Sequence, residues 1–529
     1  PSINLLEVVD GQQRLTTISI LLKALKEKFE TLKSNEISEE IEKYLLCRNI
    51  EREKKNKILL GDLDNPDYKN LFKGDFDKIV NENLKNAYEY FVEWLEEFSE
   101  ERVNKFYYKL MNNTSVIRLD VTDARDAYKL FETINNRGLK LSHTDIIKNF
   151  LLGHASTICA EILEDVRDNW KNLIVNLDGI NIDSFFRQMM VYKMKQKISS
   201  SKTVYYFRKD YIESVKEAVN LADYYLFNEA DIEDQSSEDE ENVKSSAKKQ
   251  ARVKVKNAEC KTDILKFSDE LGEVSSIYGK IINRTFQNKE INKHLFNLER
   301  IRSVPSYILL IDIFKRTLQE KDIIKILRVI ETFMLRRHIC ARRTSELDDI
   351  FAKIVGITSL NPADELKEML YKDLPADNEF LEMITTHDFS RQHERAKYIL
   401  EEVEYYLIDN KKEYTINSGT DVHLEHIIPQ TIKTKKSKRE FGDWESYLGD
   451  RSLELHSKYV NRLGNFTLLS GELNIVASNN PYASKIEEYK KSNLKLIDDI
   501  ISKFKDFKYP DVESRSEELS KIAVNIWKF

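Results

Sequence analysis

The sequence is poor in residues that interrupt helices and in residues that cross-link chains. Among 529 residues there are 14 glycines, 8 prolines and 4 cysteines. So little Gly and Pro leaves few turn signals for an all-β sandwich or barrel, which needs one about every ten residues. The cysteines, Cys47, Cys159, Cys260 and Cys340, have no paired spacing. That argues against a disulfide framework and a cysteine metal knuckle, and fits a reducing cytoplasm. No apolar run reaches the roughly 18 residues of a membrane span and no basic-apolar-small leader opens the chain, so a soluble, untargeted cytoplasmic protein is expected. Pro1 stands where a native chain would have Met, so the N-terminal domain is expected to be incomplete at its start. A strong charge of one sign is missing too. The net charge of -7 excludes the uniformly basic character of a nucleic-acid coat protein, so any contact with nucleic acid must be local.

What is present favours helices. Charged residues make up 33%, apolar residues 41% and aromatics 10%, which suits long surface-charged helices around sizeable cores and predicts a mostly α fold. The length implies two to four domains. Near the start, "LLEVVDGQQRLTTISILLKALKEKFE" predicts a short strand, a turn at Asp10-Gly11 and a helix with Leu15, Ile18, Leu21, Leu22 and Leu25 on one face. Further on, "TSVIRLDVTD" reads as a strand, followed by a helix, a turn at Asn136-Arg137-Gly138 and a helix capped by Ser142 with Asp145 three residues later. From 154 to 395 one amphipathic helix follows another. Within that region, residues 228–257 switch from an acidic to a basic block without an aromatic, the composition of a mobile charged loop. From 396 onward the texture changes, beginning with "DVHLEHIIPQ".

Two stretches carry chemistry. If "VHLEHII" is a strand, alternation puts His423 and Glu425 on one face and His426 on the other. A carboxylate beside a histidine suits metal-assisted hydrolysis, because Glu or Asn oxygens hold a hard cation while a neutral imidazole removes a proton from water. Downstream, Asn465 in "RLGNFTLL" and Asn474 in "GELNIV" add two amides, and the basic stretch with Lys433, Lys435 and Lys436 suits a loop that tracks phosphates. In "VVDGQQRLTT", Gly11 permits close approach of backbone to a ligand. Gln12 to Arg14 then occupy a helix N-terminus, where free N–H groups and the dipole attract anions. Arg14 adds a fork for phosphate, and Thr16 and Thr17 add hydroxyls.

The run Glu425 to Gln430, followed by Asn465, Asn474 and Lys485, resembles the His-Me finger (HNH) nuclease pattern of a β-hairpin and a helix. The resemblance implies Glu425 and Asn474 as ligands of Mg2+ or Mn2+, His426 as general base, Asn465 as its orienter and Lys485 on phosphate. That family usually has Asp at the position of Glu425, which leaves His423 open as the ligand or as a second one. Together with "FETINNRGLKLSHTDIIKNFLL", the "DGQQRLTT" motif resembles the GmrSD-like type IV restriction family. This implies a ParB-like α/β nucleotide-binding domain at 1–153, a helical region at 154–395 and a ββα-metal nuclease domain at 396–529. An NTP would be bound through Asp10, Gly11, Gln12, Gln13, Arg14 and Thr16. The implied function is a nucleotide-regulated, metal-dependent endonuclease of bacterial anti-phage defence that acts on modified phage DNA. A non-cleaving reader of modified DNA or nucleotide switch, and an RNase, remain as alternatives, and a homo-oligomer stays open.

Overall fold

A computed structural model describes residues 6, 8, 11–48, 53–61, 64–120, 142–221, 261–356, 361–408, 422–433, 438–439 and 442–529. Asp10, the turn at 136–138, the charged stretch 228–257, Lys435 and Lys436 lie outside these residues. The described chain is mostly helical with few short strands, as its shortage of Gly and Pro requires. It divides into two compact units, Pro1–Leu141 and Ser142–Phe529.

The first unit contains α1 (Gln12–Thr31), α2 (Asn35–Leu45), β1 (Leu46–Arg48), β2 (Lys54–Asn56), α3 (Asn65–Lys73), α4 (Glu82–Glu96) and α5 (Glu100–Asn113). On α1, Leu22 and Leu25 are buried, Ile18 and Leu21 partly so, and Leu15 stays exposed. They share a core with Phe29, Ile41, Leu95 and Val103. Asn81 caps α4 and Ser99 caps α5 through their side chains. The strand expected at 114–123 is not seen in its described part, residues 114–120, which have no pairing partner among the described residues. Val116, Ile117 and Leu119 are 79%, 91% and 58% exposed. Their β-propensity reflects how well they fit a half-buried sheet, and no such sheet is described around them.

Among its described residues, the second unit begins with twelve helices: α6 (His143–Ser156), α7 (Ala160–Asn176), α8 (Ile182–Met194), α9 (Thr203–Ser214), α10 (Ile264–Asn283), α11 (Lys289–Arg300), α12 (Tyr307–Lys315), α13 (Glu320–Ile339), α14 (Leu347–Ile354), α15 (Pro362–Tyr371), α16 (Asp377–Thr386) and α17 (His393–Leu407). Ser142 caps α6, accepting from Asp145 N at 3.1 Å and donating to its carboxylate at 2.7 Å. Helices α7 and α10 meet at Gly279, where a Cβ would lie 2.2 Å from the Asn176 carbonyl oxygen, so only Gly permits that approach.

The chain continues through β3 (Val422–His426), α18 (Trp444–Leu448), α19 (Ser452–Tyr459), β4 (Phe466–Ser470), α20 (Gly471–Ala477), α21 (Tyr482–Tyr489), α22 (Lys495–Lys503) and α23 (Tyr509–Ile526). Strands β3 and β4 pair antiparallel, with Glu425 opposite Thr467 and His426 opposite Phe466. Their core includes Ile427, Ile428, Leu469, Tyr482, Tyr489 and Val512. Helix α17 is bolted onto this part. Its buried Glu404 caps α22 by accepting from Lys495 N at 2.7 Å and Leu496 N at 2.9 Å, and its Tyr398 hydroxyl accepts from Trp527 at 3.1 Å. Among the described residues, no helix is long and apolar enough to cross a membrane.

Candidate functional site

Strand alternation sends the side chains of Glu425 and His426 to opposite faces of β3. Glu425 is 6% exposed and points inward, where its Oε1 accepts from Lys485 Nζ at 2.5 Å and from the Tyr489 hydroxyl at 3.2 Å. Lys485, on α21, has no solvent exposure and also donates to the His426 carbonyl at 2.6 Å. Burial pushes the Glu425 carboxyl up and the Lys485 ammonium down, and the attraction of each for the other opposes both shifts. The phosphate contact expected of Lys485 is therefore not what this arrangement shows. Its ammonium is committed to a carboxylate inside the core.

On the other face, the His426 ring meets Phe466 edge-on at 4.7 Å and His393 at 5.8 Å. The Asn461 side chain neighbours the imidazole and favours its charged form, and the Gln430 amide nitrogen lies 3.2 Å from Nε2. Burial first, then the neighbouring His393 and Lys485, hold the imidazole far below its usual range, at about 3. It is a neutral ring at physiological pH. His456 sits nearby as a support, with its Nε2 2.7 Å from the Pro429 carbonyl oxygen.

Asn465 does a different job from the orienting one expected of it. Fully buried, it accepts from Ile428 N at 2.8 Å and donates to Ile428 O at 2.9 Å and Val460 O at 2.8 Å. These bonds fasten the chain after β3 to the start of β4, so Asn465 acts on the loop, while Asn461 lies nearer the ring. Sequence reasoning passed over Asn461, which looks like any polar residue before a turn. The adjoining Gly464 lies under α23, where a Cβ would come within 2.1 Å of the Val512 carbonyl oxygen. Buried Arg515 donates to the Gly464 carbonyl at 2.8 Å and the Phe466 carbonyl at 2.5 Å.

Of the remaining candidates, Asn474 on α20 has a buried Oδ1 without a hydrogen-bond partner. His423 is exposed, with Nε2 3.2 Å from where a Cβ on Gly471 would be. Among the described residues, no three His, Cys, Asp or Glu side chains converge as a metal site. Lys433 is exposed on its loop. In the first unit, Gly11 adopts φ 89° ahead of α1, a conformation that favours glycine. Gln12, Gln13 and Arg14 are exposed on the first turn, and Gln12 donates to the Val8 carbonyl at 2.6 Å. The Thr16 and Thr17 hydroxyls bond back to the carbonyls of Gln12 and Gln13 at 2.9 and 2.8 Å, so both are occupied by the helix itself.

Two family models match this chain. One describes the GmrSD restriction endonuclease N-terminal domain and covers residues 1–152. The other describes the GmrSD restriction endonucleases C-terminal domain and covers residues 374–522. The chain belongs to the GmrSD restriction endonuclease family. The C-terminal GmrSD match takes in α16, α17, the β3–β4 hairpin and most of α23, so the side chains around His426 all fall within it. Membership in GmrSD makes a DNA-cleaving hydrolase of restriction the class of activity. No curated protein matches the chain.

Proposed function

We propose that the β3–β4 hairpin and α21 form a His-Me finger centre that hydrolyses DNA phosphodiesters with His426 as general base. The observation that carries this reading is the placing of His426, a neutral imidazole at the end of a strand, flanked by Gln430 and Phe466 with Asn461 beside it. In this reading Nε2 takes a proton from an attacking water that displaces the Gln430 amide. A base held at about 3 is weak, and the negative charge of a bound phosphodiester would raise its proton affinity toward the operating pH. Asn465 keeps the Ile427-Ile428 segment in register so that His426 stays at the strand end.

The donor set suits a divalent cation. A buried amide oxygen without a partner, as at Asn474, fits Mg2+ or Mn2+. Glu425 would add a carboxylate oxygen and exposed His423 a ring nitrogen. When bound, such an ion supplies charge stabilisation at the scissile phosphate. The exposed start of α1 suits a regulatory NTP, whose phosphates would meet Gly11, the Gln12 and Gln13 amides and Arg14, with Asp10 preceding them. The substrate in this reading is modified phage DNA. The Glu425–Lys485 pair favours a second reading, because a carboxylate already neutralised by an ammonium is a poorer metal ligand. In that reading the hairpin binds modified DNA without cutting it.

The full chain, offered plasmid DNA, hydroxymethylated and glucosylated DNA and total RNA with Mg2+ or Mn2+ and each NTP, separates these readings. Metal-dependent DNA cleavage that falls at least about 100-fold in His426→Ala, with DNA binding retained, is the expected result. Equal cleavage by that variant rejects the base assignment. Tight binding without cleavage supports the reader, and cleavage of RNA alone supports an RNase.

A further inference from the structure

One side chain from outside the hairpin reaches the His426 ring. His393 opens α17, and its ring stands edge-on to His426 at 5.8 Å and 83° and to Phe466 at 6.1 Å and 78°. With His426 on Phe466 at 4.7 Å and 85°, three rings meet at steep mutual angles. Phe466 is the cross-strand neighbour of His426, but His393 arrives on a segment with its own fastenings. Phe389 N donates to the Asn461 carbonyl at 3.0 Å, and the Phe389 ring packs 6.4 Å from Phe466. Asn461 is thus tied to the 389–393 segment by its backbone, and its side chain neighbours the His426 ring.

We infer that His393 is a positioning residue for His426, and that the 389–393 segment completes the nuclease site from outside the hairpin by holding the imidazole in one rotamer. This rests on the reading of His426 as the base. An edge-on ring contact biases a rotamer roughly two- to tenfold, and the contact here adds to the one Phe466 makes with the same ring. His393 Nε2 is buried without a hydrogen-bond partner, so besides the charge effect on the His426 proton affinity it is the ring contact that His393 offers its neighbour. A phenyl ring at the same place would keep that contact and remove the unpaired nitrogen.

The test compares His393→Ala and His393→Phe in the full chain. His393→Ala is expected to lower kcat about tenfold with KM for DNA within about twofold, and His393→Phe to return kcat to within about threefold of the parent. An Ala variant at the parent rate, or a Phe variant as slow as Ala, overturns the inference. A second readout uses 15N-histidine labelling in EDTA without DNA. His393→Ala should broaden or double the His426 ring signals and His393→Phe should leave one set, with His456 as an unmoved reference; undisturbed His426 signals in the Ala variant also overturn the inference. If the parent cleaves no substrate, the base assignment fails, and the ring signals still decide whether His393 holds His426.

Discussion

Lys485 and Glu425 are buried against each other at 2.5 Å, joining α21 to β3 across sixty residues of chain. Neither has water to solvate it, so removing one partner strands the other's charge. Lys485→Met should therefore cost about 3–5 kcal/mol, read as a lower urea midpoint. The Glu425→Gln, Lys485→Met double variant should recover part of the loss, because the two changes share one interaction. Single variants within about 1 kcal/mol of the parent would show that the pair does not hold the hairpin to its helix.

Gly464 is needed for space and not for backbone freedom, since its φ is not among the positive ones. A methyl there meets the Val512 carbonyl at 2.1 Å and the Ser516 hydroxyl at 2.5 Å, both on α23. The helix must move off β4 and loosen the Arg515 bonds to Gly464 and Phe466. Gly464→Ala should destabilise by about 3 kcal/mol in chemical denaturation, and a neutral result would mean that α23 shifts at little cost.

His338 gives the second unit an acid-sensitive element. Its Nδ1 accepts from Arg395 at 2.7 Å, and burial, aided by the Arg395 and Arg337 charges, lowers the imidazole from 6.5 to about 4. Because the folded value lies below the unfolded one, unfolding takes up a proton between them. The stability tied to His338 is thus complete above pH 6.5 and drains away as pH falls toward 4, by up to about 1.4 kcal/mol per pH unit. Between pH 7 and 4.5 the slope of stability against pH in His338→Gln should be shallower than the parent's by up to one proton, about 1.4 kcal/mol per pH unit, and equal slopes would place the proton uptake elsewhere.

The hairpin was legible because its information is local. "VHLEH" carries strand propensity, and alternation alone separates His423 and Glu425 from His426, as β3 does. The mostly helical architecture followed from composition for the same reason. What could not be read depends on distant partners. Whether Lys485 faces phosphate or carboxylate is decided by how α21 packs under β3, and no spacing encodes that. His393 touches His426 only because Phe389 is tied to Asn461, a contact between segments more than seventy residues apart. Residues 114–120 mislead in the opposite direction, since their β-branched side chains describe a strand for which the described residues supply no partner.

Asn461 and Asn465 stand four residues apart on one approach to β4, and they should fail in different ways. Asn461 is half-buried beside the His426 ring, so Asn461→Ala should lower kcat about ten- to hundredfold. Its stability should change by less than about 1 kcal/mol, since water can solvate a partly exposed site. Asn465 is sealed from solvent and makes three bonds to the main chain. Asn465→Ala leaves the Ile428 N–H and the Ile428 and Val460 carbonyls in the interior without that partner, at a cost of about 3 kcal/mol or more. Asn465→Asp should cost at least as much, since a carboxylate still accepts from Ile428 N but would set a buried charge against the two carbonyl oxygens. Paired urea titrations and cleavage rates decide the matter. Were Asn465 the residue that orients His426, its Asp variant would lose turnover while staying as stable as the parent, and Asn461→Ala would cut at the parent rate.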